Sequence, residues 1–140
     1  MNNSNKITIS TIINAAPEEV WEYLTEQQYV EKWNFFRDDW KTSCIVNDFR
    51  LDGKFNYRLE SKDESEGFNF TGVYKEINPF THYSYTHADD RKVDIRLNNY
   101  GDKTEVIYEF DPNKSHSREE QEERWAAILE NLNNFVEKKL

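Results

Sequence analysis

Carboxylates, three histidines and one thiol are the groups in this 140-residue chain that could do chemistry on their own. Asp38 with Asp39, and Asp89 with Asp90, are the paired carboxylates on which general acid and base work would draw. Adjacent residues do not point at one atom, however, and both pairs fall in predicted turns, where Asp is favoured for its bonds to nearby backbone. His82, His87 and His116 could ligate a metal, but His82 and His87 are five residues apart, an odd separation that sends them to opposite faces of a regular strand. Cys44 is the single cysteine, no histidine stands close to it in sequence, and the chain has no Gly-x-Ser-x-Gly elbow. Its four glycines form no phosphate-binding loop pattern. The expectation is therefore no catalytic residue, no metal and no cofactor.

Aromatic side chains carry the stronger signal. They make up 15% of a chain that is only 36% hydrophobic, so they must build much of its interior. Phe55, Tyr57, Phe68, Phe70, Tyr85 and Trp125 could line a pocket, with Trp33, Phe36 and Trp40 near its entrance. Tyr57 and Tyr85 would each bring a hydroxyl that needs a partner when buried, and a few polar groups in an apolar cavity are what a small-molecule site requires. The competing reading is an ordinary solid core, because an aromatic at strand spacing usually packs there.

The elements that would position these residues are legible in the periodicity. Trp125, Ile128, Leu129, Leu132, Val136 and Leu140 recur at intervals of three and four, which predicts an amphipathic helix over Ser117 to Leu140. Ser117 and Glu120 fit a capping box, and Lys138 and Lys139 suit the negative end of the helix dipole. Such a helix spans roughly 30 Å and needs a broad apolar partner. If Trp125 fills the centre of that contact, Trp125→Ala should cost roughly 3 to 5 kcal/mol.

The partner comes from alternating segments. Lys6 to Asn14 predicts a first strand, with Ile12 as an exception to its alternation that suggests burial on more than one side. Pro17 opens a helix carrying Val20, Trp21 and Leu24, and a second short helix runs from about Glu26 to Trp33. Strands follow at Trp40 to Val46 and around Phe55, Phe70, Tyr85, Ile95 and Tyr108, each joined to the next by a polar turn. Gly72 interrupts the aromatic row of its strand and marks a bulge, a bend or the close approach of another group. A run of strands with short turns predicts an antiparallel sheet with helices on one face, an α+β domain spanning residues 1–140.

Composition narrows the function classes. Asp and Glu outnumber Lys and Arg by 27 to 18, a formal charge of −9 that argues against nucleic-acid or anionic-membrane partners. One cysteine permits no intrachain disulfide, and no segment reads as a signal peptide or membrane span, so the expected location is cytoplasmic.

Particular residues add a resemblance. Ala15 to Trp21, Lys32 to Asn34, Asp38 to Trp40, Asn47 to Arg50, Gly53 to Phe55, Gly72 to Tyr74, Ser84 with Tyr85, Phe110 with Asp111, and Trp125 with Ile128, Leu129 and Leu132 resemble bacterial members of the family named for the activator of heat shock protein 90 ATPase. That family lies within the START-like (SRPBCC) superfamily, and the resemblance implies its helix-grip fold, a curved antiparallel sheet around a long C-terminal helix. Asp52 and Arg124 stand where family members often have glycine, and Arg124 would either change the helix-to-sheet approach or put a charge at a cavity mouth.

What the resemblance implies for function is a small apolar or aromatic ligand held between the helix and the sheet. A chaperone-associated interaction module with a stress-response role, or a cyclase- or hydrolase-type enzyme, are the alternatives. The expected assembly is a monomer or homodimer.

Overall fold

The computed structural model describes residues 5–139. Seven strands and three helices follow in the order β1 (Ile7–Ile13), α1 (Pro17–Thr25), α2 (Gln27–Trp33), β2 (Trp40–Asn47), β3 (Lys54–Ser61), β4 (Gly67–Asn78), β5 (His82–Thr86), β6 (Lys92–Asn99), β7 (Thr104–Phe110) and α3 (Arg118–Lys139). The strands form one antiparallel sheet in the order β1-β7-β6-β5-β4-β3-β2. The α1–α2 segment therefore carries the chain from one edge of the sheet to the other, and the remaining strands meander back. The sheet curls around α3 as a half-barrel, and the architecture is α+β.

Alternation decides the inner face. Phe55, Tyr57 and Leu59 on β3, Tyr83 and Tyr85 on β5, Val93, Ile95 and Leu97 on β6, and Val106, Tyr108 and Phe110 on β7 are all buried. Register shifts at Cys44/Val46 and at Tyr74/Glu76 are bulges, the device by which a strand bends and twists more strongly. A Cβ on Gly72 would lie 2.6 Å from the Phe55 ring and 3.1 Å from Tyr85, so it is the close approach of a ring that requires glycine there. β1 differs from the expectation. Ile7 and Ile13 are fully buried but Ile12 is 54% exposed, because no layer covers the outer face of this edge strand.

Both sheet edges are blunted by side chains. On β2 the Glu31 carboxylate accepts the Cys44 N–H at 2.6 Å. On β1 the Asn133 amide of α3 donates to Thr11 Oγ1 (2.9 Å) and the Ile12 carbonyl (3.0 Å). Unpaired edge groups would otherwise invite pairing with another chain.

Pro17 stands in the first turn of α1 with Glu18 and Glu19 behind it, and α1 buries Val20, Trp21 and Leu24. At the start of α3, Ser117 Oγ accepts the Glu120 N–H at 3.0 Å, while the Glu120 carboxylate turns to Arg124 (3.1 Å) instead of closing the capping box. Ile128, Leu129, Leu132 and Val136 are buried, and each contributes roughly 1.5 to 3 kcal/mol as an upper estimate. Leu140 and the Lys139 side chain, parts of the expected helix end, lie outside what is described.

Candidate ligand-binding site

The buried stripe of α3 does not meet the sheet evenly. Near its start, where Gln121, Arg124, Trp125 and Ile128 face inward, an open cleft of about 980 Å³ separates the helix from the inner face of β4 and from the turn after β5. Phe36, Trp40, Phe68, Phe70, Phe110 and Trp125 supply much of its apolar wall. Beneath them lies a second, much smaller void of about 40 Å³, lined by Trp33, Phe55, Tyr57, Tyr74, Tyr83 and Tyr85 among others. Phe70, Tyr108, Trp125 and Asn34 border both spaces, so they form the partition between them.

The nine aromatics singled out from the sequence thus divide into two layers. Phe36, Trp40 and Phe68 belong to the cleft wall, with the Trp40 ring 5.2 Å from Phe36 and 6.1 Å from Phe68. Phe68 is 44% exposed, which puts it at the rim. Phe70 and Trp125 form part of the partition, where Trp125 rests on Phe70 (5.9 Å), Tyr108 (5.5 Å) and Phe110 (5.8 Å). Phe55, Tyr57 and Tyr85 are buried beneath it. Trp33 is also in this lower layer and not at the entrance, with its indole N–H donated to the Tyr23 carbonyl at 2.9 Å.

The lower layer gathers tyrosine hydroxyls. Tyr74 donates to Asn47 Oδ1 at 2.6 Å. Burial drives the pKa of Tyr57, Tyr74, Tyr83, Tyr85 and Tyr108 well above the ordinary tyrosine value, so all five stay neutral and keep their protons.

Charged groups of the cleft are mostly paired. Arg91 Nε donates to Asp89 Oδ2 at 2.7 Å, Lys6 Nζ to Asp111 Oδ1 at 2.7 Å, and Arg124 to Glu120 Oε2 at 3.1 Å. The Arg124 guanidinium also stacks 4.8 Å above the Phe36 ring. Arg124 thus lines the cleft with a half-exposed charge, in keeping with one of the two outcomes expected for it. Asp52 has φ 63°, a left-handed conformation that favours glycine and accounts for the glycine of the family pattern.

Two polar side chains that border the cleft were not among the cavity residues read from the sequence. Asn34 is 4% exposed at the end of α2, borders both spaces, and its amide has no hydrogen-bond partner among the described residues. His87 directly follows β5 and lines the cleft on the same face as Tyr83 and Tyr85. The signal for His87 was present as that alternation; Asn34 entered only as part of the Lys32 to Asn34 resemblance, with nothing to place it at a cavity.

His82 points the other way. On the outer face its Nε2 lies 3.0 Å from Asp94 Oδ1, and Glu76, His82 and Asp94 offer three metal-type ligand atoms within 4.8 Å of one another. Asp94 therefore faces away from the cleft. The Asp38–Asp39 and Asp89–Asp90 pairs are spent on turns, Asp39 with Arg37 and Asp89 with Arg91. Cys44 is half-buried on β2, and burial raises its thiol pKa.

This half-barrel with a cleft beneath the start of its long helix can be compared with known proteins. A family model described as Activator of Hsp90 ATPase homolog 1-like protein matches residues 14–137. The chain belongs to that family. The AHSA1-like family is part of the SRPBCC helix-grip superfamily, whose START-like fold generally binds ligands in a cavity. The solution structure of the AHSA1-like protein from Aeromonas hydrophila is similar, at 32% identity over 96% of this chain and 93% of that one, with a TM-score of 0.88. A protein of Cytophaga hutchinsonii is 34% identical over 96% of this chain and 94% of its own, with a TM-score of 0.80. The Aha1 dimer from Colwellia psychrerythraea shares the fold at 16% identity, covering 94% of this chain and 96% of that chain, with a TM-score of 0.73. Among curated proteins none matches. No helix of the described residues is long and apolar enough to cross a membrane.

Proposed function

We propose that this AHSA1-like protein binds a small, largely apolar molecule in the cleft between α3 and the sheet. The cleft itself carries this reading. Its volume of about 980 Å³ lies at the upper end of the range for small-molecule pockets, roughly 300 to 1,000 Å³. Phe36, Trp40, Phe68, Phe70 and Trp125 make the ligand contacts, and Trp33, Phe55, Tyr57 and Tyr85 form the layer that holds those rings in place. We assign binding over catalysis because most charged groups of the cleft are held in ion pairs, Arg91 with Asp89, Arg124 with Glu120, and Asp111 with Lys6, while the carboxylate of Glu66 stands exposed at its edge. The protein acts in the cytoplasm, without a nucleic-acid or membrane partner.

The test is native mass spectrometry of the protein purified from cells, followed by thermal-shift measurements with apolar and aromatic compounds. A co-purified small molecule, or a melting temperature that climbs with ligand concentration as linkage requires, is the expected result. A bare protein that nothing stabilises would remove the support for a cleft ligand and turn attention to a chaperone-binding surface. The same native spectra report whether this chain pairs with itself as the Colwellia relative does.

A further inference from the structure

The polar groups around the cleft are unequal in what they have left to offer. Gln121 is buried, and its amide is spent on the β7–α3 loop: Nε2 donates to the carbonyls of Asn113 (2.8 Å) and His116 (3.1 Å), and Oε1 accepts the Asn113 N–H (2.8 Å). Asp111 accepts from Lys6 Nζ and from the Lys92 N–H, Arg91 is turned to Asp89, and Arg124 to Glu120. His87 is different.

Its Nδ1 lies 2.8 Å from the Thr71 carbonyl oxygen on β4. A carbonyl only accepts, so Nδ1 carries the proton, and in the neutral ring Nε2 is left as a bare acceptor. Nε2 has no partner among the described residues and is not sealed from solvent, and the residue lines the cleft. The ring is also held still. Phe70 and Tyr85 pack against it with centroids 5.5 Å away, and its backbone is tied into the β5–β6 turn through the Arg91 carbonyl (2.9 Å) and the Asp90 N–H (2.9 Å). Burial keeps the imidazole neutral. A fixed acceptor on a residue that lines an aromatic-walled space costs a ligand no reordering of the protein.

We infer that His87 is a specificity-determining residue, and that the cleft takes a largely apolar ring compound that bears an O–H or N–H donor and no anionic group. The donor bonds His87 Nε2. The side-chain amide of Asn34, a residue only 4% exposed that borders the same space, has no hydrogen-bond partner among the described residues and is not sealed from solvent, so it offers a second polar contact. The lack of an anionic group follows from the pairing of the cleft's cations, Arg91 with Asp89 and Arg124 with Glu120, which leaves no lone cation to receive one. This inference rests on the cleft being the binding site.

Matched probes separate the two readings. Equilibrium binding is measured for 2-naphthol, its methyl ether and 2-naphthoate on the wild-type protein and on His87→Phe, which keeps a ring against Phe70 and Tyr85 but has no acceptor. The wild type should bind 2-naphthol roughly five- to tenfold tighter than the ether, the contribution of about one net hydrogen bond, and the naphthoate no tighter than the ether. His87→Phe should bind 2-naphthol and the ether equally.

Because His87→Phe also deprives the Thr71 carbonyl of its donor, the wild-type imidazole is followed in parallel by nitrogen NMR. The unprotonated Nε2 resonance should move on adding 2-naphthol and stay with the ether. Equal binding of 2-naphthol and the ether by the wild type, with Nε2 unmoved, would overturn the role of His87 while leaving the cleft as the site. Tighter binding of the naphthoate would overturn the exclusion of an anionic group. Binding of none of the three would sink the cleft reading and this inference with it.

Discussion

The two ends of α3 obey one helical period and do opposite things. Toward its C-terminal end Leu129, Leu132 and Val136 are sealed, and Asn133 fastens that end to the edge strand β1. Toward its start Trp125 is only half-buried, Arg124 stacks on Phe36, and the sheet stands away far enough to leave the cleft. Branched aliphatic side chains fill space with few rotamers and exclude water, which suits the closed end. Large flat rings leave gaps between their edges and carry polar handles, which suits a wall that must stay open. A residue's place on the apolar stripe therefore does not tell what it contributes; the surface beneath it does.

The largest test of that contrast is a pair of truncations. Leu132→Ala should cost about 2 to 5 kcal/mol in urea unfolding, the usual range for a fully buried leucine. Trp125→Ala, although it removes more atoms, should cost less than Leu132→Ala and should impair ligand binding. A larger loss at Trp125 would mean that the start of the helix is packed as tightly as its end.

Gly72 sharpens the comparison at the layer under the open end. Gly72→Ala would force a methyl against the Phe55 and Tyr85 rings, and overpacking of this kind costs about 1 to 3 kcal/mol. An unchanged denaturation midpoint would mean that the rings yield freely and that the lower layer is not rigid.

The smallest effect is on pH dependence. Burial disfavours the His87 imidazolium, so the unfolded chain takes up that proton first, near the ordinary value of 6.5. Between 6.5 and the lowered native value the unfolded state binds more protons, so stability rises with pH and falls on acidification, by at most about 1.4 kcal/mol per pH unit. Carboxylates act lower: Asp89, held down by its bond to Arg91, destabilises the fold only as pH falls below about 3.8. Unfolding curves between pH 7.5 and 5 should therefore decline gently for the wild type and less for His87→Gln. Equal slopes would mean that His87 is as well solvated as in the unfolded chain.

Much of the fold was legible because its signals are local. The alternation of Phe55, Tyr57 and Leu59 with Asn56, Arg58 and Glu60 marks an inner and an outer face without any knowledge of neighbours, and on β6 the alternation of Val93, Ile95 and Leu97 likewise puts Asp94 on the outer face, where it is buried beside His82. The odd spacing of His82 and His87 likewise separates them onto two faces. Ile12 misled because an apolar side chain on the wrong face reads as buried, whereas β1 lies at a sheet edge with that face open.

By itself the sequence determined the order of the elements, the face each side chain takes, and the aromatic character of the interior, since strand and helix periods act over a few residues. Only the tertiary structure decided depth. It set Trp33, Phe55, Tyr57 and Tyr85 below the partition and Phe36, Trp40 and Phe68 beside open space, and it left His87 Nε2 and the Asn34 amide uncommitted. Depth depends on how far a curled sheet stands from the helix at each point along it. That distance is the joint result of bulges, edge contacts and ring packing contributed by residues far apart in the chain.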